Sequence, residues 1–165
     1  MLKVKDIMSS PVLTVGPETT VKDASALLAE HNISGLPVVD MGKIVGVFSE
    51  ADVLKSIKTQ KKDLRLVYPS VSSLGIAFQE EVTQRELLEA YEEIGNMPVK
   101  EVMSKQVEAV SPELTLSEAV MKMVQRSIHR LPVVDKSQIV GIITRGDVIR
   151  GLAKDAVTSK GPPKV

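Results

Sequence analysis

The chain has no cysteine and no tryptophan among its 165 residues, and only two phenylalanines, two tyrosines and two histidines. Without cysteine there is no disulfide framework, no thiolate metal site and no cysteine nucleophile. Two imidazoles, His31 and His129, are too few for a histidine-rich metal site, although carboxylate sites stay open. Neither sign of charge is in excess. With 21 basic and 21 acidic residues the formal net charge is zero, so a non-specific binder of nucleic acid or of an anionic membrane surface is not expected, and only a local basic pocket remains open. No apolar run approaches the length that spans a bilayer, and Met1-Leu2-Lys3-Val4-Lys5-Asp6 lacks the apolar core of a secretory signal, so the expected location is the cytoplasm.

What is present is a 43% hydrophobic chain, ordinary for a folded protein and long enough for one compact domain or two small ones sharing a core. With so few aromatics, that core must be built from Val, Ile, Leu, Met and Ala.

The dominant feature is a stretch written twice. The first copy reads Ile33-Ser34-Gly35-Leu36-Pro37-Val38-Val39-Asp40, then Ile44-Val45-Gly46, then Ser49-Glu50-Ala51-Asp52-Val53. The second reads Ile128-His129-Arg130-Leu131-Pro132-Val133-Val134-Asp135, then Ile139-Val140-Gly141, then Thr144-Arg145-Gly146-Asp147-Val148. Laying Val4–Lys55 over Val99–Arg150 at a constant offset of about 95 needs no gap and matches roughly 21 of about 52 positions, so the chain is an internal duplication.

Each copy opens on one phrase, Val4-Lys5-Asp6-Ile7-Met8-Ser9 or Val99-Lys100-Glu101-Val102-Met103-Ser104. A short extended piece follows, Val12–Val15 or Val107–Val110, and then a Pro-Glu turn. Thr20-x-x-Asp23 and Thr115-x-x-Glu118 are helix-start signals, because a hydroxyl can accept from the free amides of the first turn. Apolar residues then recur at helical spacing: Val21, Ala24, Leu27 and Leu28, and Leu116, Ala119, Val120, Met123 and Val124. Leu36–Val39 and Ile44–Phe48, like Leu131–Val134 and Ile139–Ile143, predict covered strands joined by turns at Met41-Gly42 and Lys136-Ser137. Helices beginning near Ser49 and Thr144 close each copy, so the expected order is β-α-β-β-α, twice. Pro37 and Pro132 lack the donor a ladder needs, which turns that end of the strand toward an edge or a ligand.

The organisation expected is 1–58 for the first copy, 59–98 for an insert, 99–158 for the second copy and 159–165 for a mobile tail. Within the insert, Lys58–Arg65 is basic and polar, Val67–Phe78 reads as irregular, and Val82–Ile94 reads as a covering helix with Leu87, Leu88 and Tyr91 on one stripe. A regulatory lid or dimer element is the alternative for that insert.

The paired pattern Leu-Pro-Val-Val-Asp, Ile-Val-Gly and Ser/Thr-x-x-Asp-Val resembles the CBS domain, named for the regulatory region of cystathionine β-synthase. The resemblance covers both copies and leaves the insert and the ends. It implies an α+β fold with α/β-type layers, in which two β-α-β-β-α repeats of a stand-alone tandem module pack through their sheets with pseudo-twofold symmetry. It further implies two clefts binding AMP, ADP, ATP or a related adenosyl ligand, with S-adenosylmethionine or NAD also open. A homodimer follows from the same resemblance. Carried over by position, the first cleft would combine Met103, Ala109, Ile128, His129, Arg130 and Pro132 with Ser49 and Asp52. The second would combine Met8, Thr14, Ile33, Ser34, Gly35 and Pro37 with Thr144 and Asp147, and Arg145 is its nearest cation.

The chemistry fits those residue types. A helix N-terminus offers unpaired amides and the positive end of a dipole to phosphate, a hydroxyl adds a donor, and a carboxylate one turn in accepts from a ribose diol. The same Ser/Thr-x-x-Asp is also a helix cap, and Thr20-x-x-Asp23 is one elsewhere in the chain. Its recurrence after the matched strand pair favours a ligand role, and both roles can coexist. Arg130 could fork onto phosphate oxygens or form a surface salt bridge, for instance to Glu50. His129 alone reads as a packed or solvated imidazole and His31 as a helix-end residue. Since Ser34 and Gly35 stand where the other cleft has His129 and Arg130, the first cleft is expected to prefer more phosphates. Gly46 and Gly141 suggest close packing, and the methionines core filler.

The function implied is a regulatory ligand sensor of the energy-sensing kind, which signals by a shift of conformation or dimer to an unknown effector protein. The alternative is a structural dimerisation module with empty or vestigial clefts. An enzyme is not expected, since no set of nucleophile, base and orienter is apparent. No cofactor or metal is required by this reading.

Overall fold

The structure, a computed structural model, describes residues 1–60, 66–72, 75–81 and 83–160. In chain order the elements are α1 (Val4–Ile7), α2 (Val21–Glu30), β1 (Gly35–Asp40), β2 (Lys43–Ser49), α3 (Glu50–Gln60), β3 (Leu66–Ser72), β4 (Gly75–Glu81), α4 (Gln84–Gly95), a 3-10 turn (Val99–Glu101), α5 (Leu116–Arg126), β5 (Arg130–Asp135), β6 (Gln138–Thr144) and α6 (Arg145–Lys160). The strands form three two-stranded sheets, β1 with β2, β3 with β4 and β5 with β6. The mixture of helices and small sheets is the α+β class expected.

The helices start where the capping signals placed them. Thr20 Oγ accepts from the Asp23 amide at 3.2 Å, and Thr115 with Glu118 makes a reciprocal box, the amide and hydroxyl of Thr115 donating to the Glu118 carboxylate at 3.0 and 2.6 Å. Helix α2 buries Val21, Ala24 and Leu28, and α5 buries Leu116, Ala119 and Met123, one face each. The β1–β2 and β5–β6 hairpins turn on Met41-Gly42 and Lys136-Ser137, with φ of 47° and 79°, and 45° and 66°. Left-handed conformation at both central residues is the twist-matched hairpin turn.

The first strand of each copy is reduced to one residue. Val15 forms a single parallel bridge with Val38, and Val110 one with Val133. Prolines at 11, 17 and 112 bracket these pieces and remove ladder donors.

By contact the chain divides into two compact units, one of Met1–Thr14, Val39–Val45 and Gln106–Val165, the other of Val15–Val38 and Gly46–Lys105. The opening phrase of each copy thus belongs to the unit that holds the body of the other. In the first unit the Val4 amide donates to Leu114 O at 2.9 Å, Ser9 and Ile142 exchange amide bonds at 2.9 and 3.1 Å, and Lys3 and Lys5 both pair with Glu113 at 2.6 Å. In the second unit Val99 donates to Thr19 O at 2.8 Å, Val47 and Ser104 exchange bonds at 2.9 and 3.0 Å, and Lys100 pairs with Glu18.

The first unit's core is Val4, Val110, Leu116, Ala119, Met123, Leu131, Val133, Ile143 and Val148. In the second unit Val15, Val21, Leu36, Val38, Phe48, Ala90, Ile94 and Val99 are buried.

The insert differs from expectation in two respects. Within Val67–Phe78, read as irregular, residues 67–72 and 75–78 belong to two antiparallel strands, β3 pairing with β4 from Leu66↔Glu81 to Ser72↔Gly75, while 73–74 lie outside the described residues. Pro69 is tolerated because a two-stranded ribbon has an outer edge on each strand. Helix α4 begins on a reciprocal Thr83–Glu86 box and packs against α2 and α3 through Ala90 and Ile94, while Leu87 and Leu88 stay 44% and 56% exposed. The buried stripe is one position round from the expected one, where small Ala90 permits close approach. Part of the basic stretch, 61–65, lies outside the described residues. Helix α6 runs through Lys160, past the expected start of the tail, and 161–165 lie outside the described residues.

Candidate functional site

Each hydroxyl-x-x-carboxylate motif sits at the junction of a hairpin's second strand with the following helix. Thr144 ends β6 and α6 starts at Arg145; Ser49 ends β2 and α3 starts at Glu50. A strand that ends inside the fold and a helix that starts immediately after it fix the hydroxyl and the first-turn amides in one place.

In the first unit the amide and hydroxyl of Thr144 donate to Asp147 Oδ2 at 2.8 and 2.7 Å, and the Asp147 amide donates to Thr144 Oγ at 3.3 Å. This is a complete capping box. The other oxygen, Oδ1, accepts from Ser9 Oγ at 3.4 Å and is ion-paired with Arg150. Asp147 is only 6% exposed, yet its roughly four acceptor positions are all engaged. In the second unit the Ser49 amide and hydroxyl donate to Asp52 Oδ2 at 2.8 and 3.0 Å, and Asp52 is half-buried. The Thr144 motif is thus a full helix cap, and the Ser49 motif makes the carboxylate's half of the same box.

The methionines of the opening phrases flank these motifs. A Cβ placed on Gly141 would meet Met8 Sδ at 2.4 Å, and one on Gly46 would meet Met103 Sδ at 2.4 Å and Ser104 O at 2.9 Å. Each glycine is required because a methionine and a backbone bridge occupy the space a side chain would need. The first unit thus brings Met8, through its neighbour Ser9, to Thr144 and Asp147; Thr14 and exposed Arg145 belong to the same unit. The second unit holds Met103, Ser49 and Asp52, with Met103 against Gly46 and Ser104 bridged to Val47 of the strand that Ser49 ends.

The wall residues lie in their units as follows. In the first, Arg130 opens β5 opposite Thr144, exposed His129 accepts the Arg145 amide on its carbonyl at 3.2 Å, the Ile128 amide donates to Met123 O at 3.0 Å, Pro132 is buried and its carbonyl accepts from Val110 at 2.9 Å, and Ala109 is exposed. In the second, exposed Ser34 accepts the Glu50 amide on its carbonyl at 3.1 Å, the Ile33 amide donates to Leu28 O at 3.0 Å, Gly35 and Pro37 are buried, and the Pro37 carbonyl accepts from Val15 at 3.1 Å. Pro37 and Pro132 thus each use the one backbone hydrogen-bonding group a proline has.

Two features escape a reading of the motifs alone. Arg150, and not Arg145, carries the cation onto Asp147; its only signal is an arginine three residues after the aspartate. In the second unit, Asp52, Lys55 and Ser56 of α3, together with Ile94, Met97, Glu101 and Val102, line an open cavity of about 290 Å³. At the positions equivalent to Ser56 and Val102 the first unit has Gly151 and Ile7, so close that a Cβ on the glycine would sit 2.8 Å from Ile7 Cγ2. Among the described residues no cluster of His, Asp and Glu could hold a metal ion, and no helix is long and apolar enough to cross a membrane.

A family model for the CBS domain matches residues 4–59 and 99–154. The chain is 35% identical over 155 residues to the uncharacterized protein MJ1426 of Methanocaldococcus jannaschii, covering 92% of each. It is 30% identical over 148 residues to the CBS domain-containing protein YhcV of Bacillus subtilis, covering 90% of this chain and 84% of that one. Among solved structures, CBSX2 in complex with AMP matches with a TM-score of 0.69 at 27% identity, covering 95% of this chain and 100% of that one. With the duplicated strand-turn-helix junctions and their matched hydroxyl-x-x-carboxylate turns, these similarities establish that the chain belongs to the CBS-domain family and carries two copies of the domain.

Proposed function

We propose that the chain is a regulatory module that binds AMP, ADP or ATP, not an enzyme, and that Ser49/Asp52 and Thr144/Asp147 are its ribose- and phosphate-holding turns. The observation that carries this reading is the equivalence of the two junctions: in both, a strand delivers a hydroxyl to a helix N-terminus and a carboxylate stands one turn inside. The positive end of each helix dipole favours phosphate there. The AMP complex of the similar CBSX2 supports an adenine nucleotide in particular. In this reading Met103 joins the Asp52 site, and Met8 and Thr14 join the Asp147 site.

The output is a population shift, favoured by the ligand's different affinities for alternative arrangements of the module, and transmitted to an effector protein. Self-association is part of the proposal. Leu54 on α3 and Ile149 on α6 hold equivalent positions in the two copies and are 67% and 65% exposed, with Leu152 at 48%. Such apolar positions suit a second copy of the chain.

A thermal-shift screen with AMP, ATP, S-adenosylmethionine and NAD tests the function: a ligand at 100 times its Kd raises stability by about 2.7 kcal/mol. No shift with any of them favours the purely structural dimerisation module. Light scattering after size exclusion reads the oligomeric state in the same samples.

A further inference from the structure

We infer that Arg150 makes the Asp147 site selective for a phosphate-bearing adenosine ligand over adenosine itself, by releasing the aspartate when phosphate takes its guanidinium. The inference deepens, and rests on, the nucleotide reading above. Arg150 reaches back one turn along α6 to Asp147 Oδ1, and its side chain is 67% exposed while that of Asp147 is 6% exposed. Its guanidinium lies over Gly146, where a Cβ would stand 3.2 Å from Nη1, and 3.6 Å from Thr144 Oγ. The cation is therefore held at the anion-attracting end of the helix, beside the hydroxyl assigned to phosphate.

The aspartate's acceptor positions are filled by Thr144, Ser9 and Arg150, so a ribose diol has to displace a donor to reach it. The Thr144 bonds cap the helix, and the Ser9 contact is long at 3.4 Å. Arg150 is the donor that can turn outward, because most of it is in solvent. A ligand bringing a phosphate offers the guanidinium a bidentate partner in exchange, and the vacated Oδ1 then accepts from the ribose. Neutral adenosine has nothing to give Arg150 and must compete with it. The first copy has Ala51 and Lys55 at the corresponding positions, so the same exchange is not written there: alanine carries the Cβ that Gly146 lacks, and an ammonium cannot fork.

The test is calorimetric titration of full-length protein with AMP and with adenosine, in an Asp52→Ala background that leaves the Asp147 site as the reporter. Arg150→Ala is expected to lower the AMP-to-adenosine affinity ratio by about tenfold or more, adenosine binding growing stronger as AMP binding weakens, with Arg150→Lys intermediate. An unchanged ratio in Arg150→Ala, with both ligands still bound, overturns the role of Arg150 and leaves the nucleotide reading standing. Binding by wild type but not by Asp52→Ala also overturns it. Failure of wild type to bind either ligand removes the nucleotide reading itself and this inference with it.

Discussion

The sulfur of Met8 stands 2.4 Å from the point where a Cβ on Gly141 would lie, and Met103 repeats the relation with Gly46 at 2.4 Å. In both units the methionine of one copy's opening phrase fills the glycine notch in the last strand of the other, and the following serine bridges to the residue after that glycine. Replacing Gly141 with alanine forces the sulfur and the Ser9 carbonyl away, which overpacking of this kind makes worth about 1–3 kcal/mol. Urea denaturation of Gly141→Ala is expected to read a loss in that range, and the double variant Met8→Ala/Gly141→Ala a smaller loss than the sum of the two singles. Strict additivity would mean that the two residues do not share this space.

The hairpin turns make a stabilising substitution available. Ser137 holds a φ of 66° and its counterpart in the first copy is Gly42 at 79°. Left-handed backbone costs a residue with a Cβ roughly 1–2 kcal/mol, and glycine loses roughly 0.5–1 in chain entropy, so Ser137→Gly is expected to stabilise by about 0.5–1 kcal/mol. Thermal unfolding checks this; a lower melting temperature would contradict it.

Acid sensitivity should report on the opening phrase. Hydrogen bonds from the Lys3 and Lys5 ammonium groups hold the Glu113 carboxyl at about 2, below its ordinary 4.5. A folded-state value that is depressed contributes stability above the ordinary value, and that contribution is lost as pH falls from about 4.5 toward 2. Glu113→Gln is therefore expected to flatten the fall in stability across that window, by an amount that shrinks in salt because the group is exposed. An acid limb identical to wild type in low salt would contradict the assignment.

Most of the local structure was legible from spacing. Thr20 and Thr115 start the helices their side chains signal, and the hairpins turn at Met41-Gly42 and Lys136-Ser137 because few other dipeptides stand between the apolar runs. The hydroxyl-x-x-carboxylate turns could be found because a duplication marks them twice. The exchange of opening phrases was not legible: pairing Ser9 with Ile142 is a non-local choice that the local pattern of neither segment encodes. Likewise, Val67–Phe78 hides its strands behind Pro69 and serines, and the face α4 buries is set by small Ala90 against its neighbours rather than by its leucines. Arg150 was invisible for a similar reason, since an arginine on an exposed helix face carries no mark of the carboxylate it reaches.

The most direct measurement is the binding of AMP to wild type, Asp52→Ala, Asp147→Ala and the double variant by calorimetry. Loss of a hydrogen bond to a charged group of this kind costs about 1.5–3 kcal/mol, so each single variant should weaken its own site by roughly ten- to a hundredfold and the double variant should weaken both sites by that factor. Undiminished AMP binding by a folded double variant would contradict the account.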